Sequence, residues 1–211
     1  MTKPQVVIVG SGGHAKVVIE LIRAQGLYSI AGCTDADSAS KDVLGVPLLG
    51  SDACLPELLA RGISHAFIAI GSNSLRLRLG REVEGMGFTL INAISPQAAI
   101  SPSARLGVGI AIMAGVVINA EALIDDLAII NTGSCIDHDC RIGTAAHIAP
   151  GSALAGGVNV GQQAFVGAGA VAIPGVRIGD GAVVGAGGVV IHELPPNTVA
   201  VGVPARPLAQ R

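Results

Sequence analysis

The sequence predicts two parts with different folds: an α/β domain with a parallel sheet over residues 1–92 and a left-handed parallel β-helix over residues 93–193, with a C-terminal tail over residues 194–211. Three observations lead to this prediction. Strand-like and helix-like stretches alternate in the first part, and apolar residues recur at every sixth position in the second. The composition combines 30 glycines with one Tyr and three Phe in 211 residues, which favours thin, regular β layers built from aliphatic side chains.

The first part alternates short aliphatic runs with stretches of helical spacing. Strands are predicted over Gln5–Val9, Ser29–Cys33, His65–Ile70 and Phe88–Ile91, and helices over Asp52–Arg61, over Leu75–Glu84 and around the apolar residues Val17, Val18, Leu21 and Ile22. Such alternation is typical of a parallel sheet, which binds ligands at the carboxyl ends of its strands.

A glycine-rich turn follows the first predicted strand. Gly10, Gly12 and Gly13 would let backbone N–H groups approach a phosphate at the start of the following helix. The run also fits the G-x-G-x-x-A pattern of a Rossmann-like dinucleotide site, with Asp35 at the distance expected of a ribose-binding acid. A phosphate site, a dinucleotide site and a turn that only needs small residues are all compatible with this pattern.

A six-residue period organises the second part. Its positions, counted from Ile94, are Ile94, Ile100, Leu106, Ile112, Ile118, Ile124, Ile130, Ile136, Ile142, Ile148, Leu154, Val160, Val166, Ala172, Ile178, Val184 and Val190. All seventeen are apolar, which chance would produce on the order of once in 100,000 trials in a chain that is half hydrophobic. A glycine-rich β-sandwich would not keep one phase for so long.

Small or β-branched residues stand four positions after most of these aliphatics. One large and one small inward residue per hexad form one face of a triangular prism, so three hexads, about 18 residues, complete a coil. Residues 94–191 would supply roughly five coils. The left hand is that of the known hexapeptide-repeat helices, because parallel crossovers are otherwise nearly always right-handed.

Composition and charge exclude several classes of protein. The formal net charge of −2 and the scarcity of aromatic rings argue against nucleic-acid binding. No apolar stretch is long enough to span a bilayer, and no secretory leader is recognisable, so we expect a cytoplasmic protein without membrane contact. The four cysteines contain no C-x-x-C pair and are interpreted as reduced structural thiols, and we expect no metal.

Histidines are the main candidates for chemistry on the prism. His138 follows an inward Ile136 by two residues and should point outward between Asp137 and Asp139, whose carboxylates could fix its tautomer and support its cation. A solvated surface histidine and a zinc ligand are the alternatives. His147 lies half a coil further along the chain, so the two histidines could meet only around a corner or across a subunit contact.

Four motifs together resemble one family. They are Gly10-Ser11-Gly12-Gly13-His14-Ala15-Lys16, the hexads from Ile94, the segment from Asn131-Thr132 to Ile136-Asp137-His138-Asp139-Cys140, and Val201-Gly202-Val203-Pro204-Ala205-Arg206-Pro207. With these motifs the whole chain resembles the bacterial nucleotide-sugar acyltransferases of the sialic acid O-acetyltransferase family, within the hexapeptide-repeat superfamily. The resemblance implies a homotrimer that takes acetyl-CoA and a nucleotide-activated amino sugar.

The resemblance also implies roles for individual residues. His138 would be the general base, Asp139 its carboxylate partner in a place where relatives often have Glu, and Gly156 an N–H donor to the oxyanion. Acetyl-CoA would contact Asn131, His147, Ile148, Gly167, Pro204, Ala205 and Arg206. The nucleotide sugar would contact Gly10, Gly12, Gly13, His14 and Asp35, and the separation of Asp35 from Asp37 by Ala36 leaves UDP and GDP open.

The expected activity is the N-acetylation of a nucleotide-linked 4-amino-4,6-dideoxy sugar in bacterial glycan biosynthesis, by direct attack of the amine on the thioester. Three alternatives stay open at this point: a sugar O-acetyltransferase of the same fold, an NAD-dependent enzyme with a helical oligomerisation domain, and a non-catalytic nucleotide-binding trimer. The second leaves His138 without a role, and the third would not transfer acetyl groups.

Overall fold

The computed structural model of the chain describes residues 3–36 and 41–208. These residues fall into two compact units, one up to Pro96 and one from Gln97 onward. Asp37 and residues 209–211 of the predicted tail lie outside the described residues. None of the helices in the described ranges is long and apolar enough to cross a membrane.

The first unit is the predicted α/β fold. Its strands are β1 (Gln5–Val9), β2 (Ser29–Thr34), β3 (Asp42–Val43), β4 (Val46–Pro47), β5 (His65–Ile68), β6 (Thr89–Leu90) and β7 (Ala93–Ile94), and its helices are α1 (Gly13–Gln25), α2 (Leu55–Ala60) and α3 (Asn73–Gly85), with a 3₁₀ turn at Asp52–Cys54. Strands β2, β1, β5 and β6 form a parallel sheet in that order. Residues Val6–Val9 are fully buried, as expected of a central parallel strand covered on both sides.

A short antiparallel hairpin, β3 and β4, was not among the predicted elements. Its turn contains Leu44 and Gly45, both with positive φ, and the Gly45 N–H donates to Asp42 Oδ1 at 3.0 Å. The Asn-Gly and Asp-Gly pairs that usually identify such turns from sequence are not present here, since a leucine occupies the first left-handed position.

The second unit is a parallel β-helix with three faces of two-residue strands. Face 1 contains Ala111–Ile112, Ile129–Ile130, His147–Ile148, Phe165–Val166, Val183–Val184 and Val199–Val201; face 2 contains Ala99–Ile100, Val117–Ile118, Cys135–Ile136, Ala153–Leu154, Val171–Ala172 and Val189–Val190; face 3 contains Arg105–Leu106, Leu123–Ile124, Arg141–Ile142, Asn159–Val160 and Arg177–Ile178. Successive strands of a face are 18 residues apart and pair in parallel, which confirms the predicted prism. The six strands of face 2 correspond to roughly six turns, one more than predicted.

The second residue of each strand points into the prism. From Ile112 to Val190 every such residue is at most 2 % exposed, and the small residues that stand four positions later, such as Ala146 and Ser152, are also buried. Burial of each large aliphatic contributes about 1.5–3 kcal/mol. The inward stack of aliphatic and small side chains is therefore the core of this unit.

The corners of the prism have a second period of six. Between residues 109 and 187 every sixth residue has a positive φ near 60–70°, and nine of these fourteen positions are glycine. Glu121, Leu127, Asp139, Ala145 and Gln163 are the other five. This left-handed conformation turns the chain from one face to the next and favours glycine, which has no Cβ to clash.

The three faces differ in the side chains that they turn outward. Face 3 presents Arg105, Leu123, Arg141, Asn159 and Arg177; face 2 presents Ala99, Val117, Cys135, Ala153, Val171 and Val189; and face 1 presents Ala111, Ile129, His147, Phe165, Val183 and Val199. Faces 1 and 2 therefore carry apolar or small residues with one histidine, whereas the charged residues are on face 3.

The chain beyond residue 191 continues the stack. Val199–Val201 adds a parallel strand to face 1, and Arg206–Pro207 returns antiparallel to it. The turn between them, which includes a cis Val203–Pro204 bond, is fixed by the Ala205 N–H, which donates to Val189 O at 2.7 Å. Much of the predicted tail is thus the end of the prism.

We expect Ile142→Ala to lower the free energy of unfolding by about 2–5 kcal/mol, because Ile142 is 1 % exposed and its removal leaves a cavity in the aliphatic stack. Its neighbour Arg141 points outward from the same strand, so Arg141→Ala should change stability by no more than about 0.5 kcal/mol. Denaturant unfolding of both variants measures the difference. Equal losses would contradict the assignment of the inward face.

Candidate active site

His138 lies at the corner between faces 2 and 3. The preceding strand ends at Ile136, whose side chain is buried, and the chain then turns through Asp137, His138 and Asp139 before the next strand starts at Arg141. The His138 side chain is 61 % exposed, as predicted for a residue two positions after an inward aliphatic. It is therefore accessible to a ligand on the outside of the prism.

Asp139 reaches the His138 ring in spite of its short side chain. The two groups are joined by a 2.7 Å hydrogen bond between His138 Nδ1 and Asp139 Oδ2. Because an ionised carboxylate only accepts, Nδ1 carries the proton and Nε2 keeps a free electron pair in the neutral ring. Asp139 has φ +59°, so the left-handed corner turns its carboxylate back towards the preceding residue.

Asp137 holds the same corner from the other side, a role that the sequence analysis did not assign. Its Oδ1 accepts the His138 backbone N–H at 2.8 Å and the Asn119 side-chain amide, one coil below, at 2.9 Å. These hydrogen bonds lower the pKa of Asp137, so it stays ionised. Asn119 thus links the corners of two successive coils beneath the histidine.

The two carboxylates act on the titration of His138. The hydrogen bond to Asp139 raises the pKa of His138 above its ordinary value, and the charge of Asp137 raises it further. Glu121 occupies the place of Asp139 one coil below, and Gly157 occupies it one coil above, so no charge faces the ring from the upper coil. The ring is a stronger base than an isolated imidazole.

Gly156 lies directly above the histidine, 18 residues later. A Cβ on Gly156 would stand 2.6 Å from both Cε1 and Nε2 of His138, so the ring packs against the glycine backbone. Any side chain at this position would displace the imidazole. The backbone N–H of Gly156 forms no hydrogen bond within the described residues, and it is adjacent to Nε2, where a polarised carbonyl oxygen could be stabilised.

His147 lies on face 1 with Asn131. Thr132 N–H donates to Asn131 Oδ1 at 2.8 Å, which orients the amide so that its Nδ2 donates to His147 Nε2 at 3.1 Å. The imidazole also makes an edge contact with Phe165, with ring centroids 5.1 Å apart. Asn131 and His147 are thus brought together, as part of the predicted acetyl-CoA site.

The two histidines are on different parts of one prism. His138 is at the corner between faces 2 and 3, whereas His147 starts a strand of face 1, beyond the whole width of face 3. Two further predicted contacts, Ile148 and Gly167, are buried: Ile148 belongs to the inward stack, and a Cβ on Gly167 would collide with the backbone of the next coil at Ala186. The side chain of Ile148 therefore offers no surface to a ligand.

Pro204, Ala205 and Arg206 lie in and after the turn of the C-terminal hairpin. Ala205 is buried against the last coil, while Arg206 is exposed and paired with Val201. Of the three, Arg206 alone presents a charged group to solvent, so it is the candidate phosphate partner among them.

The glycine turn of the first unit lies at the carboxyl end of β1. Gly10 has φ +106° and a Cβ there would contact Ile70 and Ala69, so this glycine is required by the fold. Gly12 and Gly13 differ, because their conformations suit other residues and a Cβ on either would meet nothing within 4 Å. Backbone conformation and packing therefore do not explain the last two glycines, whereas close approach of a ligand does.

A cleft of about 390 Å³ opens on this surface. It is lined by Ser11, Gly12, Gly13, Lys16 and the hairpin residues Asp42–Leu44. Exposed glycine backbone at the start of α1, a 13-residue helix, together with the Lys16 ammonium, is a suitable environment for phosphate groups.

His14 and Arg76 lie behind the turn. Burial lowers the pKa of His14 to about 4, and the nearby Arg76 charge lowers it too, so the imidazole is neutral. Its buried Nε2 has no hydrogen-bond partner among the described residues. Arg76 is 1 % exposed and donates to the carbonyls of Ile70 and Gly71, which fixes the loop after β5. Sequence inspection missed Arg76, since an arginine in a helix is ordinarily exposed.

Asp35 is tied to the glycine turn. Its Oδ2 accepts both the backbone N–H of Ser11, at 3.1 Å, and the Ser11 hydroxyl, at 2.6 Å. The acid at the end of β2 therefore positions the turn at the end of β1. Within the described ranges no group of three or more His, Cys, Asp or Glu is arranged to hold a metal ion.

Comparison with known proteins places these features in one class. Residues 5–83 match the family model of the PglD N-terminal domain. PerB from Caulobacter crescentus, solved in complex with CoA and GDP-perosamine, is 57 % identical, with 97 % of each chain covered and a TM-score of 0.94. A variant of the GDP-perosamine N-acetyltransferase from the same organism, with a histidine replaced by alanine, is 56 % identical, with 98 % of this chain and 97 % of that chain covered and a TM-score of 0.95.

A more distant structure agrees with this class. The acetyltransferase domain of PglB from Neisseria gonorrhoeae, solved with acetyl coenzyme A, is 34 % identical over 98 % of this chain and all of that chain, with a TM-score of 0.93. Fold and similarity define a hexapeptide-repeat acyltransferase. The chain belongs to the family of nucleotide-sugar acetyltransferases that includes these proteins, as the sequence motifs predicted.

We expect Asp139→Asn to move the acidic limb of the kcat/KM profile to lower pH. The base works in its neutral form, so activity falls as pH drops through the pKa of His138, and loss of the carboxylate removes the main cause that raises this pKa. Asparagine also tolerates positive φ, so the corner should persist. The plateau should fall about tenfold or more, because an amide holds the tautomer less firmly.

Glu121→Gln is the matched control, since Glu121 has φ +57° at the equivalent corner one coil below. Its pH profile should equal that of the wild type. An unchanged acidic limb in Asp139→Asn would contradict the role of the carboxylate.

Proposed function

We propose that the chain is an acetyl-CoA-dependent N-acetyltransferase whose acceptor is the 4-amino group of a GDP-linked 4-amino-4,6-dideoxy sugar of the perosamine type. The N-terminal unit would bind the nucleotide and the β-helix would carry out the transfer. Both substrates are cytoplasmic metabolites, so the reaction belongs in the cytoplasm.

The observation that carries this proposal is the 57 % identity over 97 % of both chains to a protein solved with CoA and GDP-perosamine. Identity to the PglB acetyltransferase domain is 34 %, which favours the GDP-linked acceptor of the more similar protein. The exposed base at the prism corner and the open glycine turn supply the chemistry that such a reaction needs.

The geometry supports direct transfer. The sugar amine attacks the thioester carbonyl, and its proton passes to Nε2 of His138 as the new C–N bond forms. The oxyanion would accept a hydrogen bond from the Gly156 N–H, a contact of the kind worth about 3 kcal/mol. Collapse of the intermediate breaks the C–S bond, and the imidazolium, stabilised by Asp139, returns a proton to the sulfur.

A homotrimer is part of the proposal, and the outward residues of the prism support it. The corner between faces 1 and 2 has no charged residue in its five turns, and Ala114, Thr132, Pro150, Ala168 and Ala186 stand just before the left-handed residue of each turn. The faces that meet at this corner carry the apolar and small outward residues. Around a threefold axis at this corner, face 1 of each subunit would pack on face 2 of its neighbour.

Such packing would also complete the site. The outer edge of face 2 is the corner with His138, and the outer edge of face 1 is where the His147 strand begins. Face-to-face contact would therefore bring His138 of one subunit close to His147 of the next, on either side of one groove. This supports an acetyl-CoA site shared by two subunits, because one prism keeps the two histidines apart.

We expect Ala168→Glu to dissociate the trimer, since three carboxylates would meet near the axis in an apolar contact. Asn159→Glu places the same charge on face 3 between Arg141 and Arg177, and it should leave the trimer intact. Sedimentation velocity measures both. A trimeric Ala168→Glu protein would contradict the axis at this corner.

The activity is tested by thiol release from acetyl-CoA with GDP- and UDP-linked 4-amino-4,6-dideoxy sugars, and with hydroxyl-only sugars as controls. We expect turnover with the GDP-linked amine, and a loss of about 10- to 100-fold in His138→Asn. This lies at the low end of the usual effect of a general base, because the exposed site lets water accept the proton. Turnover with hydroxyl sugars alone, or none with any acceptor, would refute the proposal.

A further inference from the structure

A second cleft, of about 340 Å³, lies on the other side of the glycine turn, at the carboxyl ends of β1, β2 and β5. Part of its lining is apolar: Val9 and Ile70 follow the strands, and Leu75 and Leu79 come from α3. Side chains of this kind suit the faces of a flat, uncharged ring. The cleft is large enough for a purine base.

The polar lining of this cleft comprises Thr34, Asp35, Asp52 and Arg78. Two carboxylates and one guanidinium leave a net negative charge, which is unfavourable for phosphate groups. The other cleft, with its glycine backbone and Lys16, has the opposite character. A nucleotide bound across the turn would therefore keep its phosphates beside Gly12 and Gly13 and its base in this second cleft.

Asp52 is the carboxylate that is held for a ligand in the second cleft. The Thr34 hydroxyl donates to Asp52 Oδ1 at 2.6 Å and so fixes the side chain. Asp35 differs, because its Oδ2 is already occupied by two hydrogen bonds from Ser11. A carboxylate offers about four acceptor positions, so Asp52 keeps capacity for further donors while Thr34 holds it.

We propose that Asp52 selects guanine by accepting hydrogen bonds from its N1–H and exocyclic amino group. The inference rests on the proposed function, which gives the N-terminal unit a nucleoside diphosphate sugar. Guanine presents two adjacent donors to a carboxylate, whereas uracil presents one N–H between two carbonyl oxygens, which the carboxylate would repel. Asp52 therefore both attracts the correct base and rejects the pyrimidine.

The test is calorimetric titration of the full-length protein with GDP, inosine diphosphate and UDP. Inosine diphosphate lacks only the exocyclic amino group. We expect the wild type to bind GDP about 10- to 100-fold more tightly than inosine diphosphate, the range for a lost hydrogen bond to a charged group. Equal affinity for the two purines would overturn the proposal without any variant.

Asp52→Asn keeps the shape of the side chain but places an amide before the base. This variant should lose about 10- to 100-fold in GDP affinity, keep its UDP affinity, and no longer distinguish GDP from inosine diphosphate. Thr34→Val should reduce GDP affinity to a smaller extent, because it frees the Asp52 carboxylate. Glu57→Gln, an equivalent change on the exposed surface of α2, should leave all three affinities unchanged.

A structural disturbance is recognised by a separate measurement. Unchanged thermal unfolding and unchanged CoA affinity in Asp52→Asn would assign its loss of GDP affinity to the cleft. Wild-type GDP affinity in this variant would overturn the role of Asp52 alone. A wild-type protein that acetylates UDP-linked amines and binds UDP more tightly than GDP would instead overturn the GDP-linked acceptor, so the two failures are distinguishable.

Discussion

The repeated close approach of successive coils governs the whole second unit. Strands two residues long cannot form a stable sheet by themselves, so each depends on the strand 18 residues away for its hydrogen bonds and on the inward aliphatics for its packing. Left-handed residues at every sixth position keep all coils in one register. Because this register is fixed, an outward side chain on one coil stands above its counterpart on the next, and the site uses that alignment.

The candidate active site is a modification of one structural corner. At the equivalent corners the chain carries Ser103, Ala120 or Pro174, which do no more than turn; at the third it carries His138 between two aspartates. The left-handed conformation that the prism requires of Asp139 is also what directs its carboxylate to Nδ1. Catalytic geometry therefore follows from the fold and needs no additional strain, and Gly156 provides the space for the ring.

The first unit shows a similar economy in its use of glycine. Gly10 serves the fold, whereas Gly12 and Gly13 leave open surface over the start of α1. Asp35 and Ser11 connect the ends of two neighbouring strands and so fix the turn between two clefts of opposite polarity. A nucleotide needs such an arrangement, with an electropositive place for its phosphates and an apolar place with acceptors for its base.

The sequence alone determined the parts of this protein that depend on local periodicity. The hexads from Ile112 to Val190 and the strand, turn and helix around Gly10 could be predicted because packing at a fixed spacing dictates them, and the family motifs indicated His138 and Asp139. Tertiary structure decided which distant residues meet. The contacts of His138 with Gly156, of Asn119 with Asp137 and of Thr34 with Asp52 depend on the stacking of coils and on the order of strands, and short-range spacing carries no record of either.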